Sequence, residues 1–291
     1  MIPRFHIATA LTLFALTIWL GASHASAIEP PKPGGQRMKV AGVALYVDDL
    51  AKAKRFYVEM LGMEALATTA DSTELELRSG DQRRIILRAA VARPMSTGAQ
   101  GANTSFTLQV NDLDVTLASL AAFNIKMIDR EIRKEGVGVA ATIIDPAGNP
   151  VSLMQVTIAK TPAFIAPKLC NFGLYIPVDG YERARQFWCD ELGFKTYTDR
   201  YLPRDAPLRH ADDRFAFMLH MREVQPPLRR PIGAPRTAMI FTTTRFDETT
   251  AALRKLGSAV TEQKSDRSPT GPRRARFEDA FGVASELHEI S

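Results

Sequence analysis

The chain has 291 residues, a length suited to two domains of ordinary size. Its hydrophobic share of 45% and charged share of 24% exclude a disordered or fibrous chain and supply apolar material for two cores. The net charge of +5 is spread along the sequence, with no basic stripe interleaved with aromatics, so a nucleic-acid partner is excluded.

The chain opens with "MIPRFH", a short positively charged start, followed by the uncharged apolar run "IATALTLFALTIWLGA" and then "ASA" at 25–27. This pattern predicts a secretory signal peptide over residues 1–27, cleaved before Ile28. The apolar run falls short of the roughly 20 residues a spanning helix needs. The expected mature protein is therefore secreted, periplasmic in a Gram-negative host, and not held in the membrane once cleaved; an uncleaved anchor is the alternative. The two cysteines, Cys170 and Cys189, form an even pair that an oxidising compartment could bridge.

Residues 28–38 read as a Pro/Gly-rich linker. Then "AGVALYVDDLAKAKRFYVEMLGM" predicts a half-buried strand through Val43, Leu45 and Val47, an Asp-capped helix, and a stop at Gly62. Strands follow at 72–78 and 83–89. "TSFTLQV", "DLDVTLASLAAF", "VAATIID" and "PVSLMQV" give a second strand–helix–strands unit. After a linker at 158–168 the whole pattern returns. Gly42, Val47 and Asp48 meet Gly173, Val178 and Asp179 at an offset of 131, and "DPAGNPVSL" (145–153) meets "DAFGVASEL" (279–287) at 134. This is a tandem duplication with two like domains, residues 39–157 and 169–291. Within the second copy, "DRYLPRDAPLRHADD" reads as a long charged loop able to cover a site, and "RRAR" at 273–276 as a solvated turn.

The "DL…A..FY...LG" and "DPxGN" signals, found twice at matching spacing, resemble the vicinal oxygen chelate superfamily. That superfamily includes glyoxalases, extradiol dioxygenases and the fosfomycin- and bleomycin-resistance proteins. The resemblance implies an α+β fold of two tandem glyoxalase/bleomycin-resistance-like domains, each of paired βαβββ modules forming a curled mixed sheet. It also implies a cup in each domain, with one face of every strand packed on helices and the other lining the cup.

Alternation along the strands assigns the faces. In the first copy Tyr46, Arg88 and Gln109 face the cup; in the second Tyr175, His220, Glu286 and His288 do. These seven are the candidate ligand-binding residues. Because Arg88 is off the packing face, its loss is expected to change stability little. The resemblance places the family's metal ligands at Gly42, Ser105 and Ser152 in copy one, none of them a competent donor. In copy two only Glu286 occupies such a position. The expected function is binding of a small organic molecule without a metal or other cofactor, as in the bleomycin-resistance type. One alternative is a metal-dependent glyoxalase-like lyase or isomerase, or an extradiol-type oxidoreductase, with a divalent ion held by Glu286, His288 and His220. Another is a non-catalytic interaction module.

Overall fold

The computed structural model describes residues 38–68, 73–81, 83–89, 103–127, 133–135, 138–157, 162–199, 202, 204–210, 213, 217–222, 237–263, 272–279, 281 and 283–290. The expected signal segment over residues 1–27 and its expected cleavage site lie outside them. No helix among the described residues is long and apolar enough to cross a membrane.

Four strand–helix–strand modules follow one another. The first holds β1 (Lys39–Val47), α1 (Leu50–Lys54), β2 (Glu64–Thr68), β3 (Glu74–Arg78) and β4 (Arg84–Ala89). The second holds β5 (Asn103–Gln109), α2 (Leu113–Ala121), β6 (Lys126–Met127), β7 (Arg133–Glu135), β8 (Gly138–Ile144) and β9 (Pro150–Val156). The third holds β10 (Lys168–Pro177), α3 (Tyr181–Arg185), β11 (Lys195–Thr196), β12 (Asp205–Arg209) and β13 (Phe217–Arg222). The fourth holds β14 (Thr237–Thr243), α4 (Phe246–Lys255), β15 (Val260–Gln263), β16 (Arg274–Glu278) and β17 (Ala284–Glu289).

These modules build two mixed sheets, and the sheets cut across the duplicated copies. One sheet runs β15-β16-β17-β14-β1-β4-β3-β2 and joins the first module to the fourth. The other runs β11-β12-β13-β10-β5-β9-β8-β6, with β7 on β8, and joins the second module to the third. They are called the terminal and the middle sheet below. In each, two opening strands meet antiparallel at the centre: β1 on β14, with Gly42 opposite Ile240, and β10 on β5, with Gly173 opposite Ser105. Each opening strand pairs on its other side with a parallel strand of its own module.

Face assignment by alternation holds. Val43, Leu45, Val47, Ile85, Leu87, Phe106, Leu108, Leu153, Leu219 and Leu287 lie in one continuous buried cluster to which all four modules contribute. Ala44, Tyr46, Ile86, Ala238 and Ile240 form a separate apolar floor on the opposite face of the terminal sheet.

The first helix of each copy is not uniform. Asp49 caps α1 through Lys52 N at 2.9 Å, but from Arg55 to Met60 the coil widens to a π-helix, and the second copy does the same over Gln186–Glu191. The wider turn buries two consecutive aromatics at once, Phe56 with Tyr57 and Phe187 with Trp188. Tyr57 then donates to Asp145 Oδ2 at 2.8 Å, tying the first module to the second. Asp145 also accepts from Ala147 N, Asn149 N and Asn149 Nδ2, which explains the Asp-Pro-x-Gly-Asn spacing as a folded carboxylate turn. Its counterpart Asp279 accepts from Phe281 N and Val283 N, both at 2.9 Å.

Cys170 and Cys189, which the sequence left open, are free thiols. Two sequence expectations are corrected. The supposed lid in the second copy contains β12, in register with β13 through Asp205 opposite His220. Pro207 stands within it, and its carbonyl accepts from Tyr197 N at 3.2 Å just beyond the short β11. The "RRAR" run lies largely on β16, with Ala275 in the core and Arg274 and Arg276 on the concave side.

Candidate functional sites on two concave faces

The terminal sheet brings together residues from opposite ends of the chain. Tyr46 comes from β1, Arg88 from β4, and Glu286 and His288 from β17. All four are at most 6% exposed. The Tyr46 hydroxyl donates to Glu286 Oε1 at 2.7 Å, Arg88 Nη1 donates to the same oxygen, and His288 Nε2 meets Glu286 Oε2 at 2.9 Å. Both carboxylate oxygens are thus engaged. Arg88 Nε lies 2.9 Å from Glu74 Oε1 but off the line a hydrogen bond needs. Arg274 Nη1 reaches Glu74 Oε2 at 3.1 Å, and the Arg276 guanidinium lies 5.1 Å above the centre of the Tyr46 ring. Arg84 forks onto Glu76 at 2.6 and 3.0 Å.

The charges follow from this geometry. Burial alone would push the Glu286 carboxyl up; Arg88, then His288 and the Tyr46 hydroxyl outweigh it and hold the group down at about 2. Burial, with the Glu286 charge behind it, raises the Tyr46 phenol, so it stays a neutral donor. Burial also lowers His288 against the pull of Glu286. Its Nε2 therefore carries a proton and donates it to the carboxylate.

The middle sheet is built differently. On its concave face Tyr175 and His220 stack at 4.5 Å with an interplanar angle of 17°. His220 Nδ1 lies 2.6 Å from Asp205 Oδ1. Tyr175, His220, Met218, Ser152 and Met154 are half-buried, not sealed, and Gln109 is buried on the same face.

The seven predicted residues are therefore all on concave faces, but the grouping by copy is wrong. Gln109 is not with Tyr46 and Arg88, and His220 and Tyr175 are not with Glu286 and His288, because each sheet draws on both copies. The expected low cost of losing Arg88 is wrong too, since it is buried in an ion pair. Sequence reading missed Asp205, hidden in the apparent loop. It also missed Glu74 and the place of Arg274 and Arg276 on the concave side. The alternation of "ELELR", with Leu75 and Leu77 in the core, was the signal that could have placed Glu74 and Glu76.

A metal does not fit the donors that sequence reading collected. His220 is on the other sheet, leaving Glu286 and His288, with the carboxylate already bonded to Arg88 and Tyr46. No group of three or more His, Cys, Asp or Glu placed to hold an ion occurs among the described residues. At the opening-strand ligand position there is no room: a Cβ on Gly42 would lie 2.0 Å from the Arg84 carbonyl oxygen. At Gly173 the equivalent atom would meet His220 Cδ2 at 2.9 Å.

Sheets of this build define a protein of paired βαβββ modules, and the sequence agrees. The Glyoxalase/Bleomycin resistance protein/Dioxygenase superfamily profile matches residues 39–153 and 170–287, and the chain belongs to that superfamily. Among solved structures it is similar to glyoxalase I from Zea mays, at 19% identity and a TM-score of 0.60, covering 87% of this chain and 93% of that one. It is also similar to a Bacillus subtilis protein named only provisionally as a dioxygenase, at 14% identity and a TM-score of 0.57, covering 87% of this chain and 86% of that one. At these identities the likeness is one of fold. No curated protein matches the sequence.

Proposed function

We propose that the protein binds a small organic molecule on the concave face of the terminal sheet without a metal. The observation behind this reading is the Arg88–Glu286 ion pair. The carboxylate at the superfamily's ligand position is already neutralised by a guanidinium, bonded through both oxygens, and needs no cation. Arg88 Nη2 is buried and has no hydrogen-bond partner among the described residues. It stands at the edge of an apolar floor of Ala44, Ile86, Ala238 and Ile240. One unsatisfied donor over an apolar surface suits a ligand with an apolar body and an acceptor oxygen. The positively charged start, apolar run and Ala-Ser-Ala site support export of the mature chain from Ile28 onward.

The test uses protein purified from its native envelope. N-terminal sequencing is expected to start at or next to Ile28. Elemental analysis is expected to find metal far below one equivalent. Native mass spectrometry is expected to find an organic adduct that is lost in Arg88→Lys, which keeps the charge against Glu286 but not the fork. One equivalent of a transition metal, lost in Glu286→Ala, would overturn the metal-free reading.

A further inference from the structure

The middle sheet carries a second set of reactive groups that shares no residue with the terminal face. His220 stands on β13 between two strands. On one side is β12, whose Asp205 meets Nδ1 at 2.6 Å. On the other is β10, where the imidazole edge covers the backbone of Gly173: a Cβ there would lie 2.9 Å from Cδ2 and 3.1 Å from Nε2. The ring is thus aimed, with Nδ1 toward the sheet margin and Nε2 toward the centre of the concave face. Tyr175 stacked on it at 4.5 Å fixes its plane. A carboxylate on Nδ1 selects the tautomer with the proton at that nitrogen and leaves a lone pair on Nε2. Nothing but glycine could stand beneath that edge without moving it. Across the face lie the Ser152 hydroxyl and the half-buried Met154, on a strand beside β5. A half-buried imidazole whose Nδ1 is held by a carboxylate, with Nε2 toward the centre of the concave face, has the chemistry of a proton acceptor.

We propose that the concave face of the middle sheet is a metal-free acid–base site. His220 takes a proton at Nε2 from a small carbon or oxygen acid, and Asp205 is the residue that positions it. The proton leaves the ligand as its C–H or O–H bond breaks, the bonding pair stays on the ligand, and the imidazolium returns the proton to water or to the rearranged product. This site is independent of the ligand bound on the terminal face.

The probe is 5-nitrobenzisoxazole, a planar carbon acid. Base removes its ring C–H proton, the pair forms the nitrile, and the N–O bond opens to a coloured phenolate. The full mature chain is expected to turn it over at least a hundredfold faster than His220→Gln. Asp205→Asn is expected to lower kcat about tenfold with KM unchanged. Nitrogen NMR of His220 should show the Nδ1–H tautomer in the parent and a mixed population in Asp205→Asn. Turnover of 5-nitrobenzisoxazole and the organic adduct seen by native mass spectrometry are read separately, so failure of this site is distinguishable from failure of the terminal one. Parent turnover no faster than His220→Gln, or an Nε2–H tautomer in the parent, would overturn the proposal.

Discussion

The two sheets share strand order, an antiparallel pairing at the centre and a glycine at the same opening-strand position, yet their concave faces differ in kind. The terminal face buries its ionisable groups: Arg88, Glu286, His288 and Tyr46 bond to one another at 6% exposure or less, with Arg88 Nη2 left over. The middle face leaves a His–Asp pair and a tyrosine half-buried, with one imidazole edge lying over Gly173 at the centre of the face. The difference teaches that one strand plan supports two kinds of concave face in one chain. In the terminal sheet an arginine neutralises the Glu286 carboxylate. In the middle sheet an imidazole from the next strand lies over the opening-strand glycine.

The largest expected effect separates the faces by stability. Arg88→Met removes the cation from a carboxylate that is 2% exposed, leaving only neutral donors from Tyr46 and His288. Breaking a buried pair from one side costs about 3–5 kcal/mol. His220→Gln, on the half-exposed face, is expected to cost less than about 1 kcal/mol. Denaturant midpoints of the two variants at neutral pH check this, and equal losses would mean that the terminal face is no more closed than the middle one. Next comes Gly42→Ala. Its methyl would press on the Arg84 backbone oxygen, which cannot swing aside, so a loss of about 1–3 kcal/mol is expected from overpacking. A silent Gly42→Ala would reopen the position as a place for a ligand.

Much of this was legible in the sequence, for a physical reason. Alternation in "GVALYV", "RIILRA" and "ASELHE" states which side chains face the cup, because a pleated strand has period two. The duplication states that there are two such cups. What alternation cannot state is which opening strand lies beside which. β1, β5, β10 and β14 are all apolar on one face, and they pair through backbone groups that every residue carries. So Arg88 and Glu286, 198 residues apart, could each be placed on a face but not opposite one another. Asp205 was illegible for a different reason: Pro207 and its charged neighbours disguise β12 as a loop.

The two Asp turns sharpen the comparison through pH. Asp279 is pushed up to about 6, chiefly by burial, with the backbone bonds from Val283 and Phe281 opposing. A carboxyl raised in the folded state contributes stability that is fully present below its unfolded value and is lost as pH rises through about 6. Glu286 runs the other way: its contribution is present above the unfolded value and lost as pH falls toward about 2. Asp279→Asn keeps an oxygen for Phe281 N and Val283 N and removes the buried charge. It is expected to gain about 1–2 kcal/mol over the parent at pH 7.5 and to lose that gain at pH 4. Thermal melts at both values check it. A gain that is the same at both would mean that Asp279 does not titrate in this range.

The smallest expected effect bears most directly on the middle face. Gly173→Ala puts its methyl 2.9 Å from His220 Cδ2, against a ring held by Asp205 on one edge and by Tyr175 on one plane. A side chain can rotate where the Arg84 carbonyl at Gly42 cannot, so the stability cost should stay below about 1 kcal/mol. The ring, however, must tilt away from the sheet centre, lengthening its bond to Asp205 or parting from Tyr175. In NMR spectra the His220 ring signals should move and the Nδ1–H tautomer should lose its dominance, while Arg88 and Tyr46 signals stay in place. The same substitution should lower proton abstraction from 5-nitrobenzisoxazole without altering ligand uptake on the terminal face. If His220 signals hold still while the fold weakens as much as in Gly42→Ala, the glycine is there for the backbone in both sheets. The space above Gly173 would then owe nothing to the imidazole.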